Sequence, residues 1–125
     1  SGNDGIQVIS TGGNLRDSSL SLVGKATQEV LSHYYVDKAV ISCKGVDIEK
    51  GVTDSHEMEA EVKIAMRKSA KSTILAADSS KLGEVFFVKV LNLESGDILV
   101  TDKIPEEWRK PLAERGVKVL SNEDE

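Results

Sequence analysis

Cys43 is the only cysteine in 125 residues, so no disulfide can form within the chain. Its place inside an apolar run predicts a buried thiol in a reducing compartment. No stretch approaches the roughly 20 apolar residues that a membrane helix requires. No charged start followed by an apolar middle marks a secretory signal. A cytoplasmic protein with no membrane contact is therefore expected. Basic clusters are also missing. The net charge is −5 and the pI is near 5.1, and the basic residues stand singly or beside acids. DNA binding by this chain itself is not expected, because it would favour a clustered basic surface. His33 and His56 show no metal-ligand spacing, and no nucleophile–histidine–acid arrangement can be assembled. Neither the Walker spacing nor the dinucleotide fingerprint is present. No catalytic residue, metal or cofactor is expected.

What is present suits one small globular domain. The chain is 39% hydrophobic and 30% charged, enough apolar material for one core. Residues 1–5 are polar and glycine-rich and read as linker. Residues 6–120 read as the domain, and the acidic end, 121–125, reads as a disordered tail. Ile6–Ser10 predicts a short strand, broken at Gly12-Gly13-Asn14. Leu15–Leu22 is ambiguous, with a short strand as one option. Val23–Tyr34 has apolar residues at helical spacing. Asp37–Cys43 is nearly all apolar and β-branched, as expected for a strand covered on both faces. Lys44–Asp54 reads as a loop. A helix follows, capped by Asp54 or Ser55, with Met58, Val62, Ala65, Met66 and Ser69 forming its inner face. Its acids crowd the first turns and its bases the last, complementing the helix dipole. Thr73–Ala77, Phe86–Leu91 and Asp97–Thr101 predict further strands. Pro105 opens a helix that Gly116 ends, and Val117–Leu120 closes as a strand. The alternation implies an α/β fold, a mainly parallel sheet flanked by helices, with core strands at Asp37–Cys43, Thr73–Ala77 and Ile98–Val100.

Four of the strand-like runs end in a short polar or glycine cluster: Thr11-Gly12-Gly13, Lys44-Gly45, Asp78-Ser79-Ser80-Lys81 and Thr101-Asp102. Ligands bind at the carboxyl ends of the strands in open parallel sheets, so these clusters are expected to surround one crevice. Two lysines, two aspartates and several glycines there suit a small anionic polyol such as a sugar phosphate. Lys81, just beyond a buried strand, can set a compact positive charge over a phosphate, with Ser79 and Ser80 as donors. On local sequence alone the commoner reading is a polar turn with an exposed lysine. Gly12 and Gly13 can present backbone N–H groups to an anion, though a sharp turn is the commoner use of such a pair. Glu59 either leans toward a ligand hydroxyl or forms a surface ion pair with Lys63; the pair is the safer reading. Trp108 and Pro111 are expected to anchor the last helix.

These residues, taken in order, resemble the effector-sensing domain of the DeoR family of bacterial transcription repressors. The matching string covers nearly all of Ile6 to Asp102. It runs through Gly12-Gly13-Asn14-Leu15-Arg16, Gly24, Asp37–Val46, Gly51-Val52-Thr53-Asp54, Glu59–Met66, Asp78-Ser79-Ser80-Lys81-Leu82-Gly83 and Val100-Thr101-Asp102. The resemblance implies a Rossmann-like fold similar to ribose-5-phosphate isomerase, with a phosphorylated sugar as effector. It makes Lys81 the foremost effector contact, followed by Glu59 and the loop of Lys44, Gly45 and Asp47, with Asp78, Gly12 and Gly13 completing the candidate set. It implies homo-oligomers and DNA binding only through an N-terminal helix-turn-helix that this sequence does not contain. The sensor's first strand–helix segments are also expected to be missing, leaving an exposed sheet edge. An isomerase or deaminase of sugar phosphates with the same architecture is the alternative.

Overall fold

The computed structural model describes residues 14–16 and 21–122. The Ile6–Ser10 strand, Gly12 and Gly13 lie outside them. Asn14–Arg16 (β1) and Ser21–Val23 (β2) pair as a short antiparallel ribbon. Lys25–Ser32 (α1) follows, then Val36–Ser42 (β3), Gly45–Asp47 (β4), Gly51–Asp54 (β5) and Glu57–Ser69 (α2). The remaining elements are Ala70–Ala76 (β6), a single 3-10 turn at Ser79–Lys81, Val88–Leu91 (β7), Ile98–Thr101 (β8), Glu106–Glu114 (α3) and Lys118–Ser121 (β9).

The core sheet is wholly parallel, in the order β3-β6-β8-β9. The three expected core strands are its first three members. The order advances in one direction, and parallel crossovers are right-handed. The helices of the β3-α2-β6 and β8-α3-β9 units therefore fall on the same face. Burial agrees. Ala39 and Ile41 on β3, Leu75 on β6 and Leu99 on β8 are buried, and Leu112 of α3 is fully enclosed.

The opposite face corrects the expectation that β3 is covered on both sides. Val36, Val40, Val100 and Leu120 are exposed there, Val40 at 60%. The register sets Val40 beside Ile74 and Ile98, and Ala76 beside Val100 and Leu120, so the exposed apolar side chains are contiguous. Among the described residues no helix packs on them. The apolar character of β3 is real, but it records a face that these elements leave open.

The Lys44–Asp54 loop is also corrected. It is a hairpin, β4 against β5, and β7 adds antiparallel to make a second sheet in the order β4-β5-β7. Asp47 accepts hydrogen bonds from the Glu49 and Lys50 N–H groups at 3.1 and 2.8 Å, which closes the turn. Gly45 is required by close approach. A Cβ there would overlap the Glu84 carbonyl and lie 2.9 Å from Thr53 Oγ1.

The expected inner face of α2 holds in part, since Ser69 is buried and Met66 packs against the core. Met58 is exposed, whereas Glu59 and Ala60 are buried. The inward stripe passes through Glu59, Lys63 and Arg67, each of which finds an opposite charge. At the end of α3, Gly116 adopts φ +78°. Val117 N–H then reaches back to the Leu112 carbonyl at 2.9 Å, a glycine-terminated helix end of the expected kind. Trp108 packs against the core. Strand β9 continues to Ser121, one residue into the segment expected to be tail.

Candidate functional site

The parallel strands β3, β6 and β8 end side by side. Cys43 N–H bonds the Ala76 carbonyl at 2.9 Å, and Ala77 N–H bonds the Val100 carbonyl at 3.0 Å. Each ladder thus runs one residue past its strand before the chain turns away. At these ends lies a cleft of about 510 Å³. Its floor is made of small or apolar residues, among them Cys43, Ala76, Ala77 and Val100, and its polar wall carries Asp78, Lys81 and Asp102. The floor comes from the strand tips, where Ala76 and Val100 continue the open face of the sheet. The wall comes from the turns that follow β6 and β8.

The turn after β6 is tied down from two sides. Asp78 caps it: its Oδ1 accepts from Ser80 N–H at 2.9 Å and from the Ser80 hydroxyl. Asp102, beyond β8, reaches across. Its Oδ1 accepts from Ser79 N–H at 2.6 Å and its Oδ2 from Ser79 Oγ at 3.2 Å. The hydrogen bonds from Ser80 hold the Asp78 carboxyl below its usual range, and the Ser79 N–H does the same for Asp102. Both carboxylates are ionised at neutral pH. Lys81 N–H bonds the Asp78 carbonyl at 3.0 Å, which sets the lysine at the close of the turn. Cys43 is a floor group without nucleophilic character, since burial pushes its thiol up to about 12.

Of the sequence candidates, Asp78 and Lys81 line this cleft. Lys44, Gly45, Asp47 and Glu59 do not belong to its described lining and are engaged elsewhere. Lys44 Nζ lies 3.2 Å from Ser55 Oγ, 3.5 Å from Glu59 Oε2 and 3.6 Å from Asp54 Oδ1. Asp47 closes the β4–β5 turn, and Gly45 lets β4 approach the Glu84 backbone. Glu59 is buried beside Lys44, so the expected surface pair of Glu59 with Lys63 is not formed. Lys63 instead bonds Asp54 Oδ2 at 2.7 Å. The physical reason is that both side chains lie on the inward stripe of α2, facing the end of β5.

Of this charged layer, sequence reasoning singled out neither Arg67 nor Asp97, and it gave Asp54 and Lys63 other roles, a helix cap and a surface partner of Glu59. Asp54 is fully buried. Burial raises its carboxyl, but the hydrogen bonds from Lys63 and His56 N–H outweigh this and leave it below the usual value. Arg67 forks onto Asp97, Nη1 to Oδ1 at 2.9 Å and Nη2 to Oδ2 at 3.0 Å. The signal was available as charges at every fourth residue, 59, 63 and 67, running alongside the apolar positions. Asp102 was visible in the Thr101-Asp102 cluster but was not among the individual candidates.

Among the described residues no helix is long and apolar enough to cross a membrane, and no group of His, Cys, Asp and Glu could hold a metal ion.

Residues 1–103 match the family described as the DeoR C terminal sensor domain. The chain is 40% identical over 122 residues to the transcriptional regulator YulB of Bacillus subtilis, covering 97% of this chain and 47% of that protein. It is 38% identical over 123 residues to the transcriptional repressor GlcR of the same organism, covering 98% and 47%. It is 27% identical over 118 residues to the glycerol-3-phosphate regulon repressor of Haemophilus influenzae, covering 94% and 46%. The chain spans about half the length of the curated relatives it matches. With its parallel sheet, its strand-end cleft and this match over most of its length, the chain belongs to the DeoR C-terminal sensor domain family.

Proposed function

We propose that this chain is the effector-sensing domain of a DeoR-type transcriptional repressor, and that it binds a phosphorylated sugar or polyol in the strand-end cleft. The observation that carries the reading is that, among the described residues, one lysine, Lys81, and two ionised carboxylates, Asp78 and Asp102, line a cleft with small apolar residues. A phosphate ester matches that combination. Lys81 takes the phosphate as a compact charge. Asp78 Oδ1 is occupied by Ser80, and its Oδ2 is placed to accept a ligand hydroxyl. The C–H face of the polyol lies on Ala76, Ala77 and Val100. Gly12 and Gly13 are proposed to add backbone donors to the phosphate. Lys44, Gly45, Asp47 and Glu59 are proposed to act at the margin, by holding the β3–β4 corner in place. The name of one relative, a glycerol-3-phosphate regulon repressor, is consistent with a small phosphate ester.

In the parent protein the effector would favour one of two states of an attached helix-turn-helix, which requires different affinities for the two. DNA contact and homo-oligomerisation belong to that larger protein, and the sensor itself performs no turnover. Isothermal titration of the chain against a panel of sugar and polyol phosphates tests the reading. Saturable binding without turnover is expected. Lys81→Ala should weaken it by about 10- to 150-fold, the equivalent of losing one charge-assisted hydrogen bond of about 1.5–3 kcal/mol. Steady consumption of a sugar phosphate would favour an enzyme instead, and unchanged affinity in the alanine variant would remove Lys81 from the site.

A further inference from the structure

Asp102 stands on the cleft wall, and each of its oxygens already accepts a hydrogen bond from Ser79. Oδ1 receives Ser79 N–H at 2.6 Å and Oδ2 receives Ser79 Oγ at 3.2 Å. Asp78, on the same wall, uses only Oδ1 within the turn. The two carboxylates therefore differ in kind. Asp78 leaves Oδ2 outside its turn, whereas Asp102 commits both oxygens to Ser79. What it holds is the first residue of the turn whose last residue is Lys81. A 3-10 turn of three residues has too few internal bonds to fix its own orientation. Lys81 N–H to the Asp78 carbonyl at 3.0 Å and Leu82 N–H to the Ser79 carbonyl at 3.2 Å close it internally, and Asp102 is what ties it to β8.

We propose that Asp102 is a positioning residue: its carboxylate clamps the Ser79–Lys81 turn against the end of β8 and so sets where the Lys81 ammonium stands over the cleft. The inference rests on the reading of the cleft as a phosphate-ester site. A negative charge beside a phosphate is by itself unfavourable, since like charges a few ångströms apart repel. A carboxylate retained there calls for a role that outweighs the repulsion, and holding Lys81, the one lysine among the described lining residues, supplies one. Binding of a ligand to Lys81 then also loads the Asp102 contact at the end of β8, from which the chain passes into α3.

Two probes and four variants test this. NMR titration with inorganic phosphate and with glycerol 3-phosphate is run on the wild-type chain and on Lys81→Ala, Asp102→Asn, Asp102→Ala and Ser79→Ala, with a melting curve for each. Asp102→Asn and Asp102→Ala lose the same charge, but only Asn keeps an acceptor for Ser79 N–H. The clamp predicts that Asp102→Ala binds both probes about threefold to tenfold more weakly than Asp102→Asn, the value of one hydrogen bond. Ser79→Ala, which removes only the hydroxyl contact, should weaken both probes about twofold to threefold, and it keeps the test open should Asp102→Ala not fold. If Asp102 acts only as a charge, both Asp102 variants bind phosphate more tightly and equally, and the clamp is wrong. If Asp102 accepts a ligand hydroxyl directly, only glycerol 3-phosphate is affected, which also overturns it. Lowered melting temperatures with unchanged affinities would leave a purely structural cap. If Lys81→Ala loses binding while the Asp102 and Ser79 variants do not, the clamp falls and the cleft reading stands. If the wild type binds neither probe, or Lys81→Ala binds like wild type, both fall.

Discussion

Lys63 reaches from α2 to the fully buried Asp54, Nζ to Oδ2 at 2.7 Å, and not to Glu59 one turn before it. A buried pair of this kind fixes one alignment of α2 on β5, because removing either partner leaves the other uncompensated. Asp54→Ala should destabilise the chain by about 3–5 kcal/mol in urea denaturation. Loss below about 1 kcal/mol would place the pair in the surface class.

The same carboxylate makes stability depend on acid. Its folded pKa lies below the usual value, so its contribution is complete above the unfolded pKa of about 4. The contribution is lost as pH falls through the folded pKa. Melting temperatures from pH 7 to pH 2 should decline below about pH 4, and Asp54→Asn should show a shallower decline. Parallel curves for the two proteins would assign the acid sensitivity to other carboxylates.

Arg67 makes a fork onto Asp97 and also donates to the Asn92 carbonyl at 3.3 Å. Lysine cannot reproduce two parallel bonds. Arg67→Lys is expected to cost about 1.5–3 kcal/mol, read from the shift in denaturation midpoint. An unchanged midpoint would mean that charge alone holds the loop between β7 and β8.

Gly45→Ala places a methyl against the Glu84 carbonyl. Overpacking of this sort costs about 1–3 kcal/mol. Chemical-shift changes should centre on residues 82–86, since Gly83 N–H bonds the Val46 carbonyl at 2.7 Å. A variant as stable as wild type, with no shift at Glu84, would show that β4 has room to move.

Cys43 is buried and its thiol is pushed up to about 12. Iodoacetamide at pH 8 should leave it unmodified in the folded chain and alkylate it fully in urea, as mass spectrometry would report. Rapid alkylation of the native protein would reveal an open path from the cleft to its floor.

The parallel core was legible because each of its first three strands is an apolar run bounded by polar turns, and because helical periodicity fills the gaps. The expected crevice of four clusters is met by the two after β6 and β8; Lys44-Gly45 does not line the cleft, and Thr11-Gly12-Gly13 lies outside the described residues. The hairpin was not legible. Gly45–Asp54 has three- and four-residue strands, too short for alternation to show, and its register depends on a side-chain cap at Asp47. The charges of α2 were misassigned for a different reason. Spacing puts Glu59 and Lys63 within reach of each other on any helix, and nothing local says that β5 offers Lys63 a buried carboxylate. Asp102 was hidden likewise, because its partner Ser79 is 23 positions away in sequence.

The bare side of the parallel sheet has a thermodynamic consequence. Val40, Val100 and Leu120 stay partly in water in the described fold, so part of their transfer free energy is not used in its stability. Any polypeptide surface that covers them binds the native state and not the unfolded one, and so raises the melting point by mass action. Folding and any such covering of the sheet would then be linked equilibria. A partner that covers this face would make the stability of the domain depend on that partner's concentration.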